Sequence, residues 1–254
     1  MPVLPGAEPY RHDGGEVGVL LCHGFTGTPQ SLRPWGEALA AAGLSVVLPR
    51  LPGHGTTWRE MARTRWQDWY AELDKALADL RGRCAEVFVA GLSLGGCMAL
   101  RLAQVHGDAV RGIVVVNPSI ANDVPLLALA PVLKLFVASV PGVAGDIKKE
   151  GVAELGYSRT PVKAAATLPR LWSLVQGELD KITQPILVYH SRDDHVVKPT
   201  SVRILRERLN GGNLTVVELT NSFHVATLDN DADQIFAGSL EFIRTHASVP
   251  LQRD

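Results

Sequence analysis

Ser93 lies in Gly91-Leu92-Ser93-Leu94-Gly95, a G-x-S-x-G pattern between the apolar run EVFVAG (86–91) and the helical run SLGGCMALRLAQVHG (93–107). A strand-to-helix turn at this point is sharp enough that bulk two residues either side of the serine would collide, and glycine removes it. The hydroxyl then stands exposed at the strand end as a candidate nucleophile for acyl transfer. The Leu94 N–H, at the helix start, points at a developing oxyanion.

A serine hydroxyl needs a base, and the base needs a group that orients it. Of the eight histidines, His224 in TNSFHVATLD follows the final strand-like run, while His195 in SRDDHVV directly follows an acidic pair. The order serine, acid, histidine along the chain favours His224 as the base. Asp193 and Asp194 follow the run PILVYH (185–190), and spacing alone leaves both open as the acid. Asp229 is too close to His224 in sequence to approach its ring easily from the far side. A second oxyanion donor is expected in the loop after the first core strand, CHGFTGTP (22–29), where it falls on the Phe25 N–H, with the Phe25 ring toward an acyl pocket. Losing one such donor typically costs about 3–4 kcal/mol of transition-state stabilisation. His23 and His54 resemble a metal pair, but no third ligand has an obvious place, so glycine-loop structure is the better reading. Cys97, four residues beyond Ser93, reads as a small buried hydrophobe.

The elements that must position these groups are visible as short apolar runs: VGVLLC (17–22), LSVVLP (44–49), EVFVAG, GIVVVN (112–117), PILVYH and LTVVEL (214–219). None alternates strictly, which suits strands buried on both faces. Helical patterns lie between them. Trp66, Trp69, Leu73, Leu77 and Leu80 share one helical face, and Gly43 is placed to end the helix before it. Strand alternating with helix predicts a parallel sheet covered on both sides. The rhythm breaks between GIVVVN and PILVYH, about seventy residues without a clear strand, more than one crossover helix needs. Residues 119–180 are therefore expected to form an inserted cap over the sheet's carboxyl edge, with 1–118 and 181–254 as the core. The apolar stretch LLALAPVLKLFVASVPGV (126–143) falls in that insertion. Pro131, Lys134 and Pro141 argue against a membrane span. Carried on the cap, the stretch could line an acyl tunnel and touch a lipid surface, or simply pack the cap onto the core.

Bulk properties narrow the field further. Among 254 residues, 25 are Lys or Arg and 26 Asp or Glu, for a formal net charge of −1. With no basic stripe, nucleic acid is excluded as an expected partner. Three cysteines, Cys22, Cys84 and Cys97, form no disulfide framework. The opening MPVLPGAEPYRHDGGE has neither a basic nor an apolar leader region, so a cytoplasmic protein is expected. Monomer and homodimer both remain open.

HGFTGTP (23–29), LPRLPGHGT (48–56), GLSLGG (91–96), DDHVV (193–197) and SFHVATLD (222–229), in this order, resemble the bacterial monoacylglycerol lipase and carboxylesterase group of α/β-hydrolases. The likeness runs over about 3–247, and the opening VLPGAEPY is among its more specific parts. It implies an α/β-hydrolase fold: a mostly parallel sheet, helices on both faces and an inserted cap. It implies cleavage of carboxylic esters of lipids, monoacylglycerol first, without cofactor or metal; the alternatives are a broader short- or medium-chain carboxylesterase or thioesterase, and a non-enzymatic ligand-binding protein on the same fold. Its D-x-x-V pattern assigns the acid to Asp194, beside Ser93 and His224, with Phe25 and Leu94 as oxyanion donors. A cap glutamate in that group helps hold the glycerol hydroxyls, and the matching stretch GVAELGYSRTP points to Glu154. The group often has Met after the nucleophile where this chain has Leu94; only the main chain donates there. The match is poorest at about 119–147, where acyl-chain preference is decided.

Overall fold

The computed structural model describes residues 2–121, 136–142, 145–209 and 213–251. Among these residues seven strands form one sheet in the order β1-β3-β2-β4-β5-β8-β9. They are β1 (Tyr10–His12), β2 (Val17–Cys22), β3 (Ser45–Leu48), β4 (Glu86–Leu92), β5 (Gly112–Val116), β8 (Ile186–Ser191) and β9 (Leu214–Leu219). Every neighbouring pair is parallel except β1 and β3, which run antiparallel with Tyr10 opposite Leu48. All six apolar runs picked out in the sequence are strands of this sheet.

Their lack of alternation has a simple cause. Leu20, Val89, Ile113 and Val115 face a layer built on α3 (Trp66–Arg81), which follows the single turn α2 (Trp58–Met61), and α4 (Leu94–His106). Their neighbours Val19, Leu21, Phe88, Ala90, Val114 and Val116 face α1 (Arg33–Ala41) and the carboxyl-terminal helix Ala232–His246. Successive side chains point to opposite faces, and both faces are dry, so every position is apolar. On α3 the face Trp69, Leu73, Leu77 and Leu80 is buried as expected, while Trp66, in its first turn, is only half-buried. Gly43 takes φ +84° just past α1, the left-handed turn that its position in the sequence suggests.

The 119–180 segment is not strandless. Three residues from each side, β6 (Ser139–Pro141) and β7 (Arg159–Pro161), pair antiparallel with Val140 opposite Thr160. Such short strands carry no readable periodicity. Beyond them α5 (Val162–Ala165) leads to α6 (Leu168–Gly177), which buries Leu171, Trp172 and Val175; the Val175 carbonyl accepts the Gln104 amide of α4. Most of the apolar stretch 126–143, and with it the expected acyl tunnel, lies outside the described residues; within them Phe136 is 82% exposed. No helix among the described residues is long and apolar enough to cross a membrane.

Because β2, β4, β5, β8 and β9 are parallel, their carboxyl ends share one edge. That edge collects the loop after Cys22, Ser93, Asn117 and the loops after Ser191 and Leu219.

Candidate active site

Ser93 joins β4 to α4 at φ +57° and ψ −119°, a backbone conformation that costs a non-glycine residue about 1–3 kcal/mol. The turn closes only because its neighbours lack side chains. A Cβ on Gly91 would overlap the Gly95 carbonyl, and one on Gly95 would overlap the Cys22 carbonyl. The Ser93 N–H donates to the Val116 carbonyl (2.9 Å), and the Ser119 N–H donates to the Ser93 carbonyl (3.1 Å). The nucleophile candidate is thus fastened to the end of β5 as well as to its own strand.

His224 is bonded through Nδ1 to Asp194 Oδ2 at 2.8 Å, with the two side chains only 8% and 1% exposed. The other Asp194 oxygen accepts the N–H groups of Val196 and Val197, each at 2.8 Å. A carboxylate held this way can only accept from the ring, so the proton sits on Nδ1 and Nε2 keeps its lone pair. The sequence left open whether the second aspartate would cap this turn. Asp194 does so itself, while Asp193 is exposed, 3.8 Å from Arg192.

Asn117 was missed by sequence reasoning, and it ties the two halves together. Held at φ +45°, it donates its amide to the His224 carbonyl (2.8 Å) and to Ser191 Oγ (3.0 Å), while its Oδ1 accepts the Ser191 N–H (2.8 Å). Consecutive residues 116 and 117 therefore hold the main chains of Ser93 and His224. The one signal available was a polar residue closing an otherwise apolar strand, GIVVVN.

The loop after β2 runs beside the serine: a Cβ on Gly24 would lie 3.7 Å from Ser93 Cβ. Among the described residues neither the Phe25 N–H nor the Leu94 N–H has an acceptor. The Phe25 ring packs on Trp69 (centroids 5.6 Å apart), as core does, rather than standing free. Glu154 closes the far side. Gln30 brackets it by bonding the Ala153 carbonyl (3.2 Å) and the Leu155 N–H (2.9 Å). A Cβ on Gly27 would come within 2.7 Å of Glu154 Oε1, so only glycine leaves the carboxyl this room. Burial raises the Glu154 pKa, opposed by the Gly145 N–H bond to Oε2 (3.2 Å) and by the field of His224. That carboxyl therefore keeps its proton to higher pH than an ordinary glutamate.

The family model described as serine aminopeptidase, S33, matches residues 16–231, a span containing all of these groups. The chain belongs to the serine aminopeptidase S33 family. This S33 chain is 43% identical over 250 residues to the thermostable monoacylglycerol lipase of Bacillus sp. (strain H-257), covering 97% of this chain and 98% of that one. It is 28% identical over 243 residues to a carboxylesterase of Bacillus subtilis (strain 168), covering 93% and 96%. A solved structure from work on the metagenome-derived lipolytic enzymes LipS and LipT superposes with a TM-score of 0.94 at 41% identity, covering 96% of this chain and all of that one. The fold is accordingly that of an α/β-hydrolase.

The rival residues of this S33 chain have other partners. The His195 ring bonds Asp146 Oδ1 at 2.8 Å and is largely exposed. Asp229 is buried and accepts the N–H groups of Lys148, Lys149, Phe223 and Asn230 at 2.7–2.9 Å, bracing the His224 loop. Cys97 is fully buried, which pushes its thiol pKa up.

His23 and His54 are also fully buried, with ring centroids 5.0 Å apart, and no third metal-ligating group joins them among the described residues. His23 Nε2 accepts the Leu51 N–H (3.2 Å) while Nδ1 faces the Gly24 carbonyl (3.0 Å), so the ring is neutral and holds the turn leading to Phe25. Burial lowers the His23 pKa to about 4 and pushes that of His54 well below its ordinary range. In the unfolded chain both titrate near 6.5. Above that pH both states are neutral and stability is unaffected. Between about pH 6.5 and 4 the unfolded chain takes up protons that the folded one refuses, so His23 alone withdraws about 3 kcal/mol. Urea midpoints should fall across that window, and His54→Phe should flatten the fall; an identical decline in both proteins would contradict the neutral buried pair.

Proposed function

We propose that this chain is a carboxylic ester hydrolase of lipids, acting on monoacylglycerol to release glycerol and a fatty acid. Ser93 Oγ attacks the ester carbonyl while His224 Nε2 takes its proton. Asp194 keeps the imidazole in the required tautomer and stabilises the imidazolium. The N–H groups of Phe25 and Leu94 hold the tetrahedral oxyanion. The imidazolium then protonates the departing glycerol oxygen, and water, deprotonated by His224, frees the acid from Ser93. Activity falls on acidification, because a charged imidazole takes no proton.

The observation that carries this reading is the 2.8 Å His224–Asp194 pair, fastened through Asn117 and Val116 to the strained turn at Ser93. The Bacillus monoacylglycerol lipase relative supports the substrate class, and Glu154 supplies the polar end of the site. Residues 119–180 act as a cap over this edge, carrying Glu154 and meeting the lipid surface. Each buried methylene adds about 0.8 kcal/mol, so the acyl chain needs no polar grip.

A serine-reactive phosphonate should label Ser93 in full, and a panel of monoacylglycerol against methyl esters of equal chain length tests the alcohol site. Glu154→Ala should raise KM for monoacylglycerol about tenfold, the worth of one or two hydrogen bonds, and leave the methyl ester nearly unchanged. Equal losses on both esters would remove Glu154 from that role. The Bacillus subtilis carboxylesterase relative favours a second reading, a broad short-chain esterase, which the panel would reveal as indifference to the glycerol group.

A further inference from the structure

We propose that Asp146 is a positioning residue for the base: its carboxylate joins the loop that carries Asp194 to the loop that carries His224 and sets the field around the imidazole. The inference rests on the Ser93-His224-Asp194 reading above.

Both loops leave the carboxyl ends of strands, where sheet hydrogen bonds no longer fix them. Asp146 supplies the missing crosslink. Its Oδ2 accepts the main-chain N–H of His224 (3.1 Å) and that of His195 (3.2 Å), the residue after Asp194. Its Oδ1 pairs with the His195 ring (2.8 Å), and its carbonyl accepts the Val225 N–H (3.0 Å). The segment around it is pinned as well. Lys148 and Lys149 donate to Asp229, which also holds the Phe223 N–H, and Gly145 donates to Glu154. One short segment thus contacts the acid loop, the base loop and the glutamate at the alcohol end.

The charge is as well placed as the hydrogen bonds. Asp146 is only 16% exposed, so its field on the neighbouring imidazole is weakly screened. His195 faces Asp146, Asp194 and Asp193; its ring meets the Phe223 ring edge-on at 4.5 Å, and the Lys148 ammonium lies over that same ring. The bond to Asp146 raises the His195 pKa. Asp146 therefore favours the charged form of the His195 ring, and that charge offsets part of the Asp146 field. Removing His195 exposes that field and stabilises the imidazolium of His224.

The test uses the full chain, a soluble short-chain p-nitrophenyl ester, kcat and KM across pH, melting temperature, and active sites counted by phosphonate labelling. Alanine has no acceptor, so Asp146→Ala releases all three bonds to the Asp146 carboxylate. It should lower kcat per labelled site about tenfold with KM within about twofold, the signature of a displaced base. His195→Ala, a change at a largely exposed residue, should move the acid limb of kcat/KM upward by a few tenths of a pH unit. His195→Gln keeps a donor without charge and should show the same shift. A lowered melting temperature with unchanged kcat per site in Asp146→Ala would reduce the residue to structural support and overturn the proposal. An unmoved acid limb in both His195 variants would overturn its electrostatic half. Activity surviving in Ser93→Ala would instead fail the underlying triad reading, whatever Asp146 does.

Discussion

Replacing Ser93 by alanine should lower kcat/KM for a short-chain ester by about 10⁵-fold, while Asp194→Asn should cost about 10⁴-fold. The two losses have different physical origins. Ser93→Ala removes the attacking oxygen but places a side chain of similar demand at φ +57°, so the turn and the fold should survive with a melting temperature near that of the parent. Asp194→Asn removes no reacting atom. The carboxylate of Asp194 has one oxygen committed to the N–H groups of Val196 and Val197 and the other to His224 Nδ1. An amide that keeps its oxygen on the two N–H groups must turn its NH₂ toward Nδ1. The ring then accepts at Nδ1 and carries its proton on Nε2, where it can no longer receive the serine proton. Asp193→Asn, at an exposed position 3.8 Å from Arg192, should change activity less than about threefold. Because the three residues act as one unit, Ser93→Ala combined with Asp194→Asn should be no slower than Ser93→Ala alone. More than one per cent of the activity surviving in Ser93→Ala would move the nucleophile elsewhere. A larger loss from Asp193→Asn than from Asp194→Asn would reverse the assignment of the acid.

What the sequence disclosed about this site divides along a physical line. Ser93 was legible because its constraint is local: two glycines and a strand-to-helix change within seven residues record the steric demands of one turn. The parallel strands were legible because dry packing on both faces leaves uninterrupted apolar runs. His224 was favoured over His195 by chain order, yet both lie in loops whose partners come from elsewhere. Only the structure shows one ring against Asp194 and the other against Asp146. Asn117, Asp146 and Asp229 share the same obscurity. Each works by accepting or donating to main-chain groups of a distant loop, and such a bond imposes no period and no composition on its own neighbourhood. The edge strand β1, reading Tyr-Arg-His, is similarly silent: three polar or amphipathic residues become a strand only because β3 offers an open antiparallel edge. Glu154 could be pointed to only through resemblance, since its placement depends on Gln30 and Gly27 across more than a hundred residues.

Gly95→Ala should be the most damaging single-methyl change in the molecule. In an ordinary helix alanine would stabilise by about 1 kcal/mol over glycine. Here the added Cβ would overlap the Cys22 carbonyl carbon and oxygen and lie 2.8 Å from the His23 carbonyl oxygen, all main-chain atoms of the strand end that feeds the Phe25 loop. No rotamer relieves this, because a methyl group has none. Either the first turn of α4 lifts off β2, releasing Ser93 and Leu94 from their positions, or the 22–25 segment retreats and takes the Phe25 N–H with it. We expect a loss of more than about 4 kcal/mol, the range reserved for overpacked or strained cores, and a fall in melting temperature of about 10 °C or more. In whatever fraction folds, kcat should drop a further 10²- to 10³-fold, roughly the effect of removing one oxyanion donor. Gly177→Ala is the matched control: at the end of α6 its Cβ meets nothing within 4 Å, so stability should hold or rise slightly. The contrast separates close backbone approach from helix propensity. A Gly95→Ala protein with parental melting temperature and parental kcat would mean that α4 and the β2 loop can part without cost, and that the proposed oxyanion hole is not built on their contact.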